Sequence, residues 1–318
     1  LEAVIREATA RAHELNAATV PDRSKRYHRK VIFDRIRQEG YGAAHLAFAP
    51  NAADEGEPGK RRPGLAILSR FPFEGEPEVI QDLGEPLEIP FQPLRGLAGD
   101  EDAGAYVLRR LSRPILKARI RVAAQVVTVF NCHLKSKLGE YIRPQGAAFA
   151  PEEDLTRYDP LGRAMGSLRS ALRRMAEAWV LRREIVAELT RGHPVIALGD
   201  FNDGEHAVSS EIIAGERPFR NYAWMLRHDA TGAGDRYSAG ENAAITEAVE
   251  RLRLQSAEKL FVRKSLRDMV YTASFGGVYN SIDQIFLSRH FHPENDARLG
   301  DMTYFSTFIT IGNSLTAG

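Results

Sequence analysis

Residues 193–208, HPVIALGDFNDGEHAV, limit the folds open to this chain more than any other stretch. Val195, Ile196, Ala197 and Leu198 form a short apolar run that reads as a strand covered on both faces. It opens at once into Gly199, Asp200, Phe201, Asn202, Asp203 and Gly204. Two acids and an amide therefore stand at the C-terminal end of a buried strand, between glycines. A rigid sheet aims side chains at such a place while the turn leaves them exposed, which suits chemistry. Immediately upstream, residues 162–192 carry a long helical pattern, so helix and sheet must pack as layers.

The rest of the chain fits that frame. Leu1, Val4, Ile5, Ala8 and Ala12 recur at helical spacing in residues 1–16, and Val31, Ile32 and Ile36 predict a second helix over 24–41, ended near Gly40. Residues 51–64 are a polar Gly/Pro loop. Strands are expected at 65–72 and 126–134, with loops and short edge strands over 74–114. A polar insertion spans 139–160. Helix returns around 241–259, and strands at 266–275 and 281–288 flank the turn GGVYN. With no repeat and no compositional break, residues 1–318 read as one α+β domain. Lys plus Arg (43) against Asp plus Glu (42) leaves a net charge of +1, so no global field points to nucleic acid or an anionic membrane. A phosphate substrate needs only local positive charge. No apolar run is long enough to span a bilayer, and the single Cys132 excludes an intrachain disulfide. A monomer is expected.

Three strand-end signals carry chemistry. In FNCHLKSK (130–137), His133 can donate to a phosphoryl oxygen or move a proton near neutral pH, or it can simply cap a strand end. Lys135 can add a point positive charge to an anion, and Asn131 stands on the same strand end. In GDFND, Asp200 and Asn202 are two residues apart and share a side on extended backbone. Asp200 can orient or deprotonate a water, and the Asn202 carbonyl can meet a hard cation. The competing reading is a turn in which both side chains cap backbone amides. In SIDQIFLS (281–288), Asp283 leads into an apolar strand, as a turn cap or as a carboxylate that orients a catalytic histidine.

Taken in order, His133-Leu134, the Gly199 to Asn202 element and Asp283-Gln284-Ile285-Phe286 resemble the endonuclease/exonuclease/phosphatase family, the deoxyribonuclease-like superfamily. GLAILSRFP (64–72) resembles a recurrent strand of the same family. The resemblance covers roughly residues 25–290 and is most specific at GDFND. It implies a four-layer α/β sandwich with two mostly antiparallel sheets flanked by helices. It also implies phosphoester hydrolysis by in-line attack of water, with Mg²⁺ (or Mn²⁺ or Ca²⁺) held by Asp200 and Asn202. In that scheme His133 stabilises developing charge on the phosphate, Asn131 and Lys135 are further phosphate contacts, and Asp283 pairs with a C-terminal histidine. A nuclease acting on nucleic acid is the favoured activity. The alternatives are a phospholipid or inositol-phosphate phosphatase, a sphingomyelinase-like enzyme, or a non-catalytic binding member. The lipid enzymes tend to need an apolar membrane-facing loop, and the sequence advertises none.

The family's opening Asn strand and Gln-Glu-Val strand have no counterpart here, since Gln38-Glu39 reads as a helix end. Its closing Ser-Asp-His is also missing, and His290 and His292 stand too near Asp283 in sequence to replace it. These gaps lead to the expectation of a chain truncated at both ends, active in its longer natural form and nearly inert as these 318 residues. The arginines of residues 163–189 read as a solvated helix face with stems over the core. Lys60, Arg61 and Arg62 form a basic loop. Asp203 is expected to cap the helix that follows it.

Overall fold

The computed structural model describes residues 45–51, 64–90, 105–144, 146–215, 237–262, 271–275 and 278–300. The helices expected at 1–16 and 24–41, residues 52–63 with the basic loop, and residues 266–270 lie outside them. In chain order the elements are β1 (His45–Pro50), β2 (Gly64–Ser69), β3 (Glu78–Pro90), β4 (Ala105–Val122), β5 (Gln125–His133), α1 (Pro160–Thr190), β6 (Val195–Asp200), α2 (Val208–Ala214), α3 (Ala239–Leu252), β7 (Leu254–Ser256), α4 (Ala257–Val262), β8 (Ala273–Phe275), β9 (Val278–Asn280) and β10 (Asp283–Ser288).

β1 and β2 pair antiparallel, and a larger sheet runs in the order β3-β4-β5-β6-β10-β7. Its strands are antiparallel except for β5 and β6, which run parallel. Parallel neighbours need a long crossover, and α1 supplies it. The helix starts where Asp159 accepts the Leu161 and Gly162 N–H groups with Pro160 behind it, and stops before Gly192 at φ 83°.

Side-chain alternation along β5 separates two cores. Phe130, Cys132 and Leu134 face α1, where they meet Ala176, Val180, Leu181 and Ile185. Burying each Leu or Phe here contributes roughly 1.5–3 kcal/mol. On the opposite face, Leu116, Ala118 and Ile120 of β4 pack against Ala47, Ala49 and Ile67 of the small sheet. This is the α+β sandwich expected from the sequence. The described residues carry its two sheets and the helical layer over the larger one.

Three expectations about elements need correction. Residues 74–114 are not mainly loops, since β3 has 13 residues and β4 has 18. Register shifts after Ile80 and Asp82, Gly84 at φ 87° and Pro114 within β4 interrupt the period-two pattern that would have revealed them. The helix expected over 241–259 is broken, because residues 254–256 pair with β10 as β7. GGVYN is not wholly a turn: residues 278–280 form β9, paired with β8.

Gly199 fixes how closely β5 and β6 meet at the end that matters for function. Its φ is 141°, and a Cβ there would sit 1.8 Å from the Cys132 carbonyl oxygen. Gly199→Ala is expected to lower the unfolding free energy by about 3 kcal/mol or more, measured by urea denaturation. A loss below about 1 kcal/mol would contradict the close approach.

Candidate active site

Pairing register brings the sequence signals together. His133 is the β5 partner of Asp200 on β6, and Asp283 on β10 is the partner of Asp200 on its other side. Three residues 67 and 83 positions apart thus share one rung of the sheet, at the C-terminal ends of β5 and β6. His133 Nε2 lies 3.4 Å from Asp200 Oδ2, and both side chains are about one-third exposed. Asn131, two residues before His133 on the same strand, donates its amide to the Ala66 carbonyl of β2 at 3.0 Å. The rung therefore opens toward the space between the two sheets.

Charge is unbalanced along this rung. Burial pushes the Asp283 carboxyl above its usual range, and Asp200 beside it adds to the shift against hydrogen bonding from Thr272. Burial, then the Arg113 guanidinium, lower the His133 pKa, while Asp200 and Asp283 oppose them. His133 is therefore neutral at pH 7 and carries one N–H to donate. Among the described residues no three His, Cys, Asp or Glu side chains converge as a ready-made metal cage. Mg²⁺ seldom asks for one: it takes one or two carboxylates, keeps waters and shares the substrate's phosphate. The oxygen donors of Asp200, Asn202 and Asp283, two of them unneutralised carboxylates, fit such a hard cation.

The loops behind the rung are tied by polar contacts. The Asn202 N–H donates to Asp200 Oδ1 at 2.8 Å, so the turn-capping geometry is present within the site rather than instead of it. Asn202 holds φ 52°, and its Nδ2 donates to the Leu134 carbonyl at 2.9 Å, leaving Oδ1 as the free acceptor. The Lys135 ammonium is half-buried, which lowers its pKa, and its Nζ lies 3.4 Å from the Leu138 carbonyl. The Thr272 hydroxyl accepts the N–H groups of Ile282 and Asp283, both at 3.0 Å, and so anchors the start of β10.

Sequence reading missed the residues that hold these loops. Arg113 donates to the Leu134 carbonyl at 2.8 Å and lies 3.4 Å from the His133 carbonyl. Glu177, 2% exposed, accepts the Ser112 and Lys135 N–H groups, and burial raises its pKa against them. Arg174 bonds Asp203 and the Lys135 carbonyl. A buried glutamate and arginine inside an arginine-rich helix leave no sequence mark. Most arginines of α1 do bind the protein itself: Arg182 reaches the Ile213 carbonyl, and Arg163 lies over the Tyr141 ring. Asp203 is not the cap of α2, whose N-cap is Ala207. It instead takes Arg174, Lys137 and Ser209. His290 and His292 follow the far end of β10, a strand length from Asp283.

Residues 7–301 match the model of the Endonuclease/Exonuclease/phosphatase family. No match is found among curated proteins. Among solved structures, the chain is similar to a family protein from Leptotrichia buccalis at 12% identity (86% of this chain and 70% of that one, TM-score 0.36). It is also similar to one from Beutenbergia cavernae at 16% (82% and 50%, TM-score 0.37). A third is the human Nocturnin catalytic domain with bound sulfate anion, at 13% (81% and 65%, TM-score 0.36). The chain thus spans between half and 70% of these proteins' lengths. With its model matched over nearly the whole length, the chain belongs to the endonuclease/exonuclease/phosphatase family.

Proposed function

We propose that this protein is a divalent-metal-dependent phosphodiesterase, with a nucleic acid strand as the favoured substrate. The observation that carries the reading is the shared rung: His133, Asp200 and Asp283 stand side by side on β5, β6 and β10. Family members are metal-dependent phosphoesterases. Asp200 and Asn202 Oδ1, with Asp283 beside them, would hold the cation, which supplies charge neutralisation at the phosphate. Asp200 orients a water for in-line attack and takes its proton. Neutral His133 donates its N–H to a phosphoryl oxygen as negative charge develops there. Arg113 adds positive charge close enough to act on His133, and Lys135, two residues past His133, is a further candidate phosphate contact.

One observation favours a second reading, hydrolysis of a phospholipid. Contrary to the sequence expectation, the insertion after β5 exposes apolar side chains: Leu138 (77%), Leu155 (67%), Ile142 (59%) and Phe149 (57%). It lies along the first turns of α1, where the Glu140 N–H donates to the Gly166 carbonyl. The Ser170 hydroxyl meets the Ser136 carbonyl just past the end of β5. The ten residues of α1 before Ser170 therefore extend about 15 Å past that contact, on the α1 face of the larger sheet.

The test is single-turnover hydrolysis, by the full-length protein, of bis(p-nitrophenyl) phosphate, single- and double-stranded DNA, RNA and phosphatidylcholine vesicles, with Mg²⁺ or EDTA. The reading expects Mg²⁺-dependent cleavage, fastest on a nucleic acid. Cleavage of vesicles alone would install the lipid reading, and no metal-dependent hydrolysis of any substrate would overturn both.

A further inference from the structure

We propose that Glu177 and Arg174, one turn apart on α1, are positioning residues that set the spacing of His133, Asn202 and Arg113. The inference rests on the phosphodiesterase reading of the site. The peptide joining Leu134 to Lys135 is held from every side. Its carbonyl accepts from Arg113 Nη1 at 2.8 Å and Asn202 Nδ2 at 2.9 Å, and its N–H donates to Glu177 Oε2 at 2.6 Å. The following carbonyl, of Lys135, accepts from Arg174 Nη1 at 3.1 Å.

The same two side chains reach the other loops. Glu177 Oε1 accepts the Ser112 N–H at 2.7 Å, directly before Arg113. Arg174 Nε donates to Asp203 Oδ2 at 2.9 Å, directly after Asn202. The Asp203 carbonyl in turn accepts from Gln284 Nε2 at 2.6 Å, directly after Asp283. Chain positions one or two residues from His133, Asn202 and Arg113 are therefore fixed to one rigid helix, by groups only 2% and 8% exposed. Stability alone does not require this pair, because well-packed apolar residues serve a buried helix face as well. Placement does require it. The Asn202 side chain keeps its orientation only while its amide nitrogen stays on the Leu134 carbonyl, and a misplacement near 1 Å can slow chemistry about a hundredfold.

Glu177→Gln keeps the shape but turns an NH₂ toward a backbone N–H, and Arg174→Ala removes both of its bonds. The expected result is a fall in kcat of about 10–100-fold for each, with KM within about twofold, and partial rescue by Arg174→Lys. Arg121→Ala, which breaks an exposed pair with Glu74 at the far end of β4, is the unchanged control. NMR gives a readout independent of turnover. In Glu177→Gln, the Lys135 amide should lose exchange protection, and the Asn202 side-chain amide and His133 ring signals should shift together. Unchanged kcat, or unmoved Asn202 and His133 signals, would overturn the proposal. If the wild-type protein hydrolyses nothing, the phosphodiesterase reading fails while those signals still decide whether the helix positions the rung.

Discussion

Glu188→Ala is expected to lower the unfolding free energy by about 3–5 kcal/mol, the largest stability loss from any single polar side chain described. Its carboxylate is wholly buried near the C-terminal end of α1, over the middle of β4 and β5. Arg119 binds it through Nε at 3.0 Å and Nη2 at 2.7 Å. Lys117 Nζ lies at 3.0 Å, the Thr128 hydroxyl at 2.9 Å and His193 Nδ1 at 2.8 Å, with Arg191 closing the group. Truncation leaves Lys117, only 3% exposed, with Glu78 and a long contact to Glu184. Burial alone would raise the Glu188 pKa, but hydrogen bonds from Arg119, His193, Lys117 and Thr128 outweigh it and hold the group far below the usual carboxylate range. A depressed folded pKa contributes stability that is complete above the unfolded value, about 4.3, and is lost as pH falls below it. The gap between wild type and Glu188→Gln should therefore narrow by about 1.2 kcal/mol from pH 4 to pH 3 in urea titrations. A gap that stays constant with pH would mean the network does not bind the carboxylate in its charged form.

What the sequence made legible follows from period and end signals. The apolar run of β6, the helical spacing of α1 and the alternating 126–134 segment are local patterns that packing does not override, and all three elements form where expected. His133, Asp200, Asn202 and Asp283 could be named because each sits at a strand end, where topology delivers side chains to one edge. β3 and β4 were hidden because bulges, Gly84 and Pro114 break their alternation, while β7 is too short to show any period. Glu177, Arg174 and Arg113 were missed for another reason. Their meaning depends on partners 20 to 65 residues away, and a charged residue on a helix or strand reads as solvent-facing until its contacts are known. Asn131 shows the converse, a polar strand-end residue whose amide nitrogen ties the two sheets together.

Asp200→Asn is expected to slow metal-dependent hydrolysis by about a thousandfold while leaving the fold as stable as before, or more so. The asparagine Oδ1 can still accept the Asn202 N–H, so the turn survives and only the charge is removed. Asp283 on the neighbouring strand then loses the like charge that helps raise its pKa. Relief of that repulsion offsets whatever the His133 contact contributes at a one-third exposed position. The His133 pKa, already lowered, should fall further once the Asp200 charge that supports its protonated form is gone. His133→Ala alone should cost about a hundredfold or more. The double variant should be little worse than Asp200→Asn, because residues acting on one phosphate as a unit are not additive. A structural role for Asp200 gives the opposite pattern, lower stability with turnover within about tenfold of wild type. Urea titration and single-turnover rates on the same two variants therefore separate an aspartate that works on substrate from one that only closes a turn.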